Sequence, residues 1–142
     1  VDIKIFRQSD PEYLLSLILR YKILRIPLGL TFTRADLARD TDDIHMGAFE
    51  GDTILASLIL TDSGDRSVQM RQVAVDDTYQ GKGIGRELAL HAETYAKGKG
   101  FTLMHCHARA VAVPFYLRLG YHTLGDEFTE VGIPHFHMEK AL

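Results

Sequence analysis

The sequence predicts a mixed α/β protein of the α+β kind, with its elements in the order β-α-α-β-β-β-α-β-α-β-β. Three observations carry the prediction: short runs of period-two alternation bounded by turn residues, two apolar stripes at helical spacing, and no repeat, low-complexity tract or linker between the two patterns. With 142 residues, 46% of them hydrophobic and 25% charged, the chain has the size and composition of one globular domain over 1–142 rather than of a disordered or rod-like chain.

Val1 to Arg7 alternates Ile3 and Ile5 with polar neighbours, the pattern of a strand with one buried face. Ser9-Asp10-Pro11-Glu12 reads as a helix start, with a capping side chain, a proline in the first turn and a carboxylate at the positive end of the helix dipole. Leu14, Leu17, Ile18, Tyr21 and Leu24 form a stripe expected to pack inward, and Pro27 and Gly29 end the helix. Thr33, between Phe32 and Leu37 at the positions of a hydrophobic staple, opens a short helix to about Arg39. Ile44 to Glu50, Thr53 to Thr61 and Ser67 to Asp76 read as strands joined at Gly51-Asp52 and Asp62-Ser63-Gly64-Asp65, an antiparallel meander. Ile84, Leu88, Ala92, Tyr95 and Ala96 make the second helical stripe, closed at Gly98. Phe101 to His107 is a strand, Ala112 to Leu119 a short helix, and Tyr121 to Phe128 and His135 to Leu142 a final strand pair.

Sixteen Lys and Arg against nineteen Asp and Glu give a formal charge of -3, too little basic field to hold a phosphate backbone, so nucleic acid is not an expected partner. The most apolar stretch, Tyr13 to Leu30, is interrupted by Arg20, Lys22, Arg25 and Pro27, and no basic region followed by an apolar run opens the chain. Neither a membrane span nor an export signal is expected. The lone Cys106 can form no internal disulfide, which fits a reducing cytoplasm.

Between a strand and a helix stands Gln80-Gly81-Lys82-Gly83-Ile84-Gly85-Arg86. Glycines at such a junction let successive N–H groups turn toward one point, and the helix N-terminus adds positive charge, so the loop suits a pyrophosphate. A Walker loop would need a Gly-Lys-Ser/Thr ending and a dinucleotide fingerprint a third glycine where Arg86 stands; both are absent. A loop that merely turns the chain is the plain alternative.

Gln80-Gly81-Lys82-Gly83-Ile84-Gly85 resembles the Gln/Arg-x-x-Gly-x-Gly/Ala loop of the GNAT superfamily of N-acetyltransferases, and Phe115-Tyr116-Leu117-Arg118-Leu119-Gly120-Tyr121 resembles that family's Phe-Tyr-x-x-x-Gly-Phe/Tyr segment. The closing Gly125-Asp126-Glu127-Phe128 and Gly132-Ile133-Pro134-His135 segments are similar to those of small bacterial acetyltransferases of the ElaA or YjcF kind. The resemblance implies a central, mostly antiparallel sheet of six to seven strands flanked by about four helices. It also implies an acetyl-CoA-dependent N-acetyltransferase, with the pyrophosphate on the Gly81 to Gly85 amides, Gln80, Lys82, Ile84 and Arg86 beside it, and the pantetheine arm along Val73, Ala74 and Val75. Tyr116 would face the thioester sulfur, where a protonated phenol can donate to a departing thiolate. Core packing is the plain reading of Phe115 and Tyr116.

Two positions depart from the family pattern. Arg109 stands near a place where an Asn is frequent, and Arg71 stands where many relatives carry a Glu that takes the amine proton; an arginine cannot be a base at neutral pH. The remaining candidates for the base are Glu127 and His135, then His45 and His107, each with a solvated or merely hydrogen-bonded side chain as the alternative. His105 with His107 and His135 with His137 share strand faces and could make a metal site, which would define a different class of protein; acyl transfer itself calls for no metal. A non-catalytic acyl-CoA sensor or interaction module is a further alternative. The acceptor would be a small-molecule or peptide amine, the charge of -3 mildly suiting a cationic one, and a homodimer is the commonest soluble assembly.

Overall fold

Alternate burial makes the period-two runs into strands: along Leu103–Arg109 the buried residues are Met104, Cys106 and Ala108. The computed structural model describes residues 1–142. Its strands are β1 (Asp2–Phe6), β2 (Ile44–Glu50), β3 (Thr53–Gly64), β4 (Ser67–Val75), β5 (Leu103–Arg109), β6 (His122–Glu130) and β7 (Ile133–Ala141), and its α-helices are α1 (Glu12–Arg20), α2 (Arg34–Ala38), α3 (Ile84–Gly98) and α4 (Val113–Arg118). All seven strands form one sheet in the order β1-β2-β3-β4-β5-β7-β6. The element order is the predicted one, and every neighbouring pair is antiparallel except β4 and β5.

The second apolar stripe packs as expected. Leu88, Ala92 and Ala96 of α3 lie in the main core with Tyr116 and Leu119 of α4 and the sheet residues Met46, Leu58, Met70, Met104 and Met138. A smaller cluster of Leu19, Leu24 and Ala74 lies under α1.

The first stripe does not pack inward. Leu14 and Ile18 are exposed, while Ser16, Leu19 and Arg20 are buried. The reason is electrostatic: Asp40 is fully buried and takes a hydrogen bond from Arg20 Nη1 at 2.8 Å, so α1 must turn its polar face to the sheet. A π-helical turn over Tyr21–Arg25 then brings Leu24 inward.

The last two strands run further than their sequence suggests, because Val131 and Gly132 both have positive φ, 47° and 78°, and close a tight hairpin turn. A valine gives no signal for that conformation. Asp36 completes the Thr33 cap as a capping box, with Thr33 N–H donating to Asp36 Oδ2 at 2.8 Å.

Candidate active site

β4 and β5 pair for only three residues, Ser67–Gln69 against Leu103–His105, and then separate. The cause lies on the other side of β4. Ile59 of β3 pairs with Arg71 and Ser57 with Ala74, so β4 carries an extra residue in a β-bulge, where Gln72 has φ 55°. That conformation costs a non-glycine residue roughly 1–2 kcal/mol. Arg20 Nε braces it by donating to Gln72 Oε1 at 3.3 Å. Bulges bend the strand that holds them, and here the bend opens a wedge beside β5.

Two cavities open from the wedge. One, of about 570 Å³, is lined by Val73, Val75, the loop residues Gln80, Gly81 and Gly83 to Arg86 but not Lys82, and α4; the other, of about 360 Å³, is lined by residues of β4, β5, α2, β7 and the β6–β7 turn. Leu24, Val73, Arg109, Ala112 and Tyr116 line both. The two cavities adjoin at these five residues, Tyr116 among them.

In the larger cavity, Gly81 and Gly83 take φ of 77° and 82°, and a Cβ on either would meet nothing within 4 Å, so these glycines are needed for conformation, not for close packing. Gly85 differs: its Cβ would come within 3.0 Å of Val75 Cγ2 and 3.5 Å of the Phe115 ring. It lets α3 close on β4 and α4. The first amide of α3 bonded back into the loop is Glu87 N–H, donating to Gly83 O at 3.0 Å, which leaves the amides of Ile84, Gly85 and Arg86 without intrahelical acceptors at the positive end of a 15-residue helix. Gln80 braces the loop, its Nε2 donating to Val75 O at 3.0 Å; Lys82 Nζ lies 4–6 Å off the Tyr79 ring, at 5.6 Å. Arg86 Nη1 reaches Arg118 O at 3.5 Å.

Tyr116 is 6% exposed and packs edge-on against Phe115 and Tyr121, with ring centroids 5.1 and 5.6 Å away. Burial raises its phenol pKa, and the neighbouring Cys106 adds to the effect. The phenol is therefore a hydrogen-bond donor, not a base. Burial likewise pushes the Cys106 thiol up to about 12, too high for a nucleophile at neutral pH.

The second cavity holds a carboxylate between two imidazoles. His107 Nδ1 is 2.9 Å from Glu130 Oε1, and His135 Nε2 is 3.6 Å from Glu130 Oε2. A carboxylate only accepts, so Nδ1 of His107 carries a proton, and in the neutral ring Nε2 is then the atom with the free lone pair. His135 Nδ1 donates to Ile133 O at 2.9 Å, and the ring is 3% exposed. Glu130 is a residue the sequence reading did not single out; only the extension of β6 through the Val131-Gly132 turn carries it to β5.

The other candidates lie elsewhere. Glu127 is exposed within an irregular stretch of β6, between the pairs Leu124–His137 and Phe128–His135, and does not line the cavity. His45 is buried on β2, with Nε2 3.1 Å from Asp40 O, and burial lowers its pKa. Arg71 lines the cavity, but its guanidinium is engaged by Asp40 at 3.0 Å, Asp43 at 2.7 Å and Thr61 Oγ1 at 2.9 Å. Of the paired histidines, His105 Nε2 meets Ser63 Oγ at 2.8 Å, and the His137 ring stacks on Phe128 at 4.2 Å and lies edge-on to His107 at 4.6 Å.

The splayed β4–β5 pair, with a glycine loop on one side and a tyrosine beside the wedge, sits in a mixed α/β fold of the acetyltransferase class. The sequence model of the acetyltransferase (GNAT) domain matches residues 33–142, and the chain belongs to that family. It is similar to Bacillus subtilis YjcF, described as an uncharacterized N-acetyltransferase, with 32% identity over 73 residues, 51% of this chain and 52% of YjcF. The chain spans about half the length of the curated relatives it matches. Among solved structures, a supposed N-acetyltransferase of Lactobacillus plantarum superposes over 100% of this chain and 99% of its own with TM-score 0.87 at 26% identity. Escherichia coli ElaA superposes over 98% of each chain with TM-score 0.84 at 20% identity, a likeness of fold.

Proposed function

We propose that this protein moves the acetyl group of acetyl-CoA to a primary amine of a small molecule or peptide by direct attack in a ternary complex. The observation that carries the reading is the meeting of two cavities at Tyr116. Acetyl-CoA supplies an acyl group activated as a thioester. The free amides of the Gly81–Arg86 loop suit its pyrophosphate, and the unpaired edge of Val73–Val75 suits the pantetheine amides.

A lysine-like amine is neutral about once in 10³ at pH 7, roughly 4–5 kcal/mol from its nucleophilic form, so proton removal is the demanding step. His107 Nε2 is the base we assign, with Glu130 holding the tautomer. Tyr116 donates to the departing thiolate. The inert Cys106 thiol favours direct transfer over an acyl-cysteine. Because the Glu position of many relatives holds the engaged Arg71, a non-catalytic acyl-CoA sensor is the second reading.

Calorimetric titration with coenzyme A, followed by thiol release from acetyl-CoA across a panel of amines, separates the two. Release with any amine supports the transferase. Tight binding with no release on any amine supports the sensor, and absence of binding refutes both.

A further inference from the structure

Arg25 and Arg109, far apart in the sequence, converge on one backbone oxygen. Arg25 Nη1 donates to Leu24 O at 3.2 Å and Arg109 Nη2 donates to the same oxygen at 3.1 Å. Both guanidiniums line the 360 Å³ cavity. The arginines in ion pairs are Arg20 and Arg71, bound to Asp40 and Asp43; Arg25 and Arg109 have no carboxylate within 4 Å. The nearby Asp36 carboxylate caps α2 through Thr33 N–H, and Glu130 accepts from His107.

Like charges gathered on one neutral carbonyl repel each other: burial lowers Arg25's affinity for its proton, Asp36 opposes this, and the Arg109 charge adds to it. The arrangement is relieved by an anion, and a guanidinium's planar fork matches a carboxylate or phosphate in two-point contact. The Phe32 ring, 4.6 Å from the Arg25 guanidinium, holds that fork in place. The whole-chain charge of -3 is thus no guide to this wall.

Resting on the transferase reading above, we infer that the acceptor is an anionic amine, an aminocarboxylate or aminophosphate whose acid group is held by Arg25 and Arg109 while its amine faces His107. The anion serves as the handle that keeps the amine in the second cavity, and a diamine is rejected by the same charges.

The test compares kcat/KM for γ-aminobutyrate, its amide and putrescine, and for phosphoethanolamine against ethanolamine, in wild-type protein and in R25Q, R25K and R109Q variants. Arg25 lines only the second cavity, so R25Q is the primary variant. The expected result is a preference of roughly 10- to 100-fold for the acid-bearing amine of at least one series, expressed in KM. That preference falls about tenfold or more in R25Q and is intermediate in R25K. The series that shows it identifies carboxylate or phosphate. Preference for putrescine, or an unchanged ratio in R25Q with native near-UV circular dichroism, overturns the inference.

If no amine on the panel is acetylated, the transferase reading fails for this panel and the anion site is judged alone. Calorimetric titration of γ-aminobutyrate and phosphoethanolamine into coenzyme A-saturated wild-type protein and the R25Q/R109Q double variant then decides. Heat lost in the variant supports the site, and no heat in the wild type overturns it.

Discussion

Replacing Glu130 by Gln removes a charge from the pair assigned to proton transfer while keeping the side chain's shape. In the wild type the carboxylate fixes the proton on His107 Nδ1 through a 2.9 Å contact. An amide can offer its NH2 to Nδ1 instead, which moves the ring proton to Nε2, the atom that must stay free. The carboxylate is 44% exposed and the imidazole 30%, so water screens much of the charge. The expected loss is therefore about 10- to 100-fold in kcat, at the low end of acid–base catalysis and well short of the ~10⁴ seen for a buried triad aspartate. Glu130 lines only the second cavity, so KM for acetyl-CoA should stay where it is. The assay is thiol release at saturating acetyl-CoA for E130Q, H107Q and the double variant. Groups acting as a unit are non-additive, so the double variant should be no slower than H107Q within about threefold. An E130Q kcat within twofold of wild type, or losses that multiply, would refute the assignment.

Tyr116→Phe should lower kcat about tenfold to a few hundredfold without abolishing turnover, and an unchanged kcat would remove the phenol from the reaction. Cys106, buried and with its thiol pushed up to about 12, should resist a disulfide reagent in the folded protein and react once per chain in denaturant; rapid labelling of native protein would contradict this burial. Asp40→Asn leaves two buried arginines short of a partner and should cost ~3–5 kcal/mol of stability in urea unfolding; a cost below about 1 kcal/mol would show the cluster to be dispensable. Acid should weaken the fold in two stages. Burial lowers the pKa of His45; for Asp40, burial opposes ionisation, but the Arg20 charge and hydrogen bonds from Arg20, Tyr13 and Arg71 outweigh it and keep the carboxyl below its usual range. Both groups bind fewer protons folded than unfolded, so stability falls as pH drops below about 6.5 and again below about 4; a urea midpoint flat across that range would refute it.

What was legible in the sequence follows from how local each signal is. The meander, the α3 stripe and the glycine loop are written in contiguous residues and each formed, with β3 running on to Gly64 so that the turn falls at Asp65 and Arg66 rather than over Asp62 to Asp65. The face of α1 was misread because the partner that draws Arg20 inward, Asp40, lies 20 residues away and has no periodic signature. The reach of β6 was missed because valine at positive φ announces nothing, and Glu130 went unnoticed with it. Equally invisible was the convergence of Arg25 and Arg109, 84 positions apart, on one carbonyl.

The buried ion cluster links these non-local features. Arg20 binds Asp40 through Nη1 and the bulged Gln72 through Nε, so one guanidinium joins α1, the end of α2 and the kink that opens the wedge. Arg71 completes the cluster on Asp40 and Asp43. An acid at position 71 would meet those two carboxylates, so in this chain the position serves the scaffold and the base must lie across the wedge. We assign that base to His107 of β5, held by Glu130 of the extended β6, in the cavity that Arg25 and Arg109 also line.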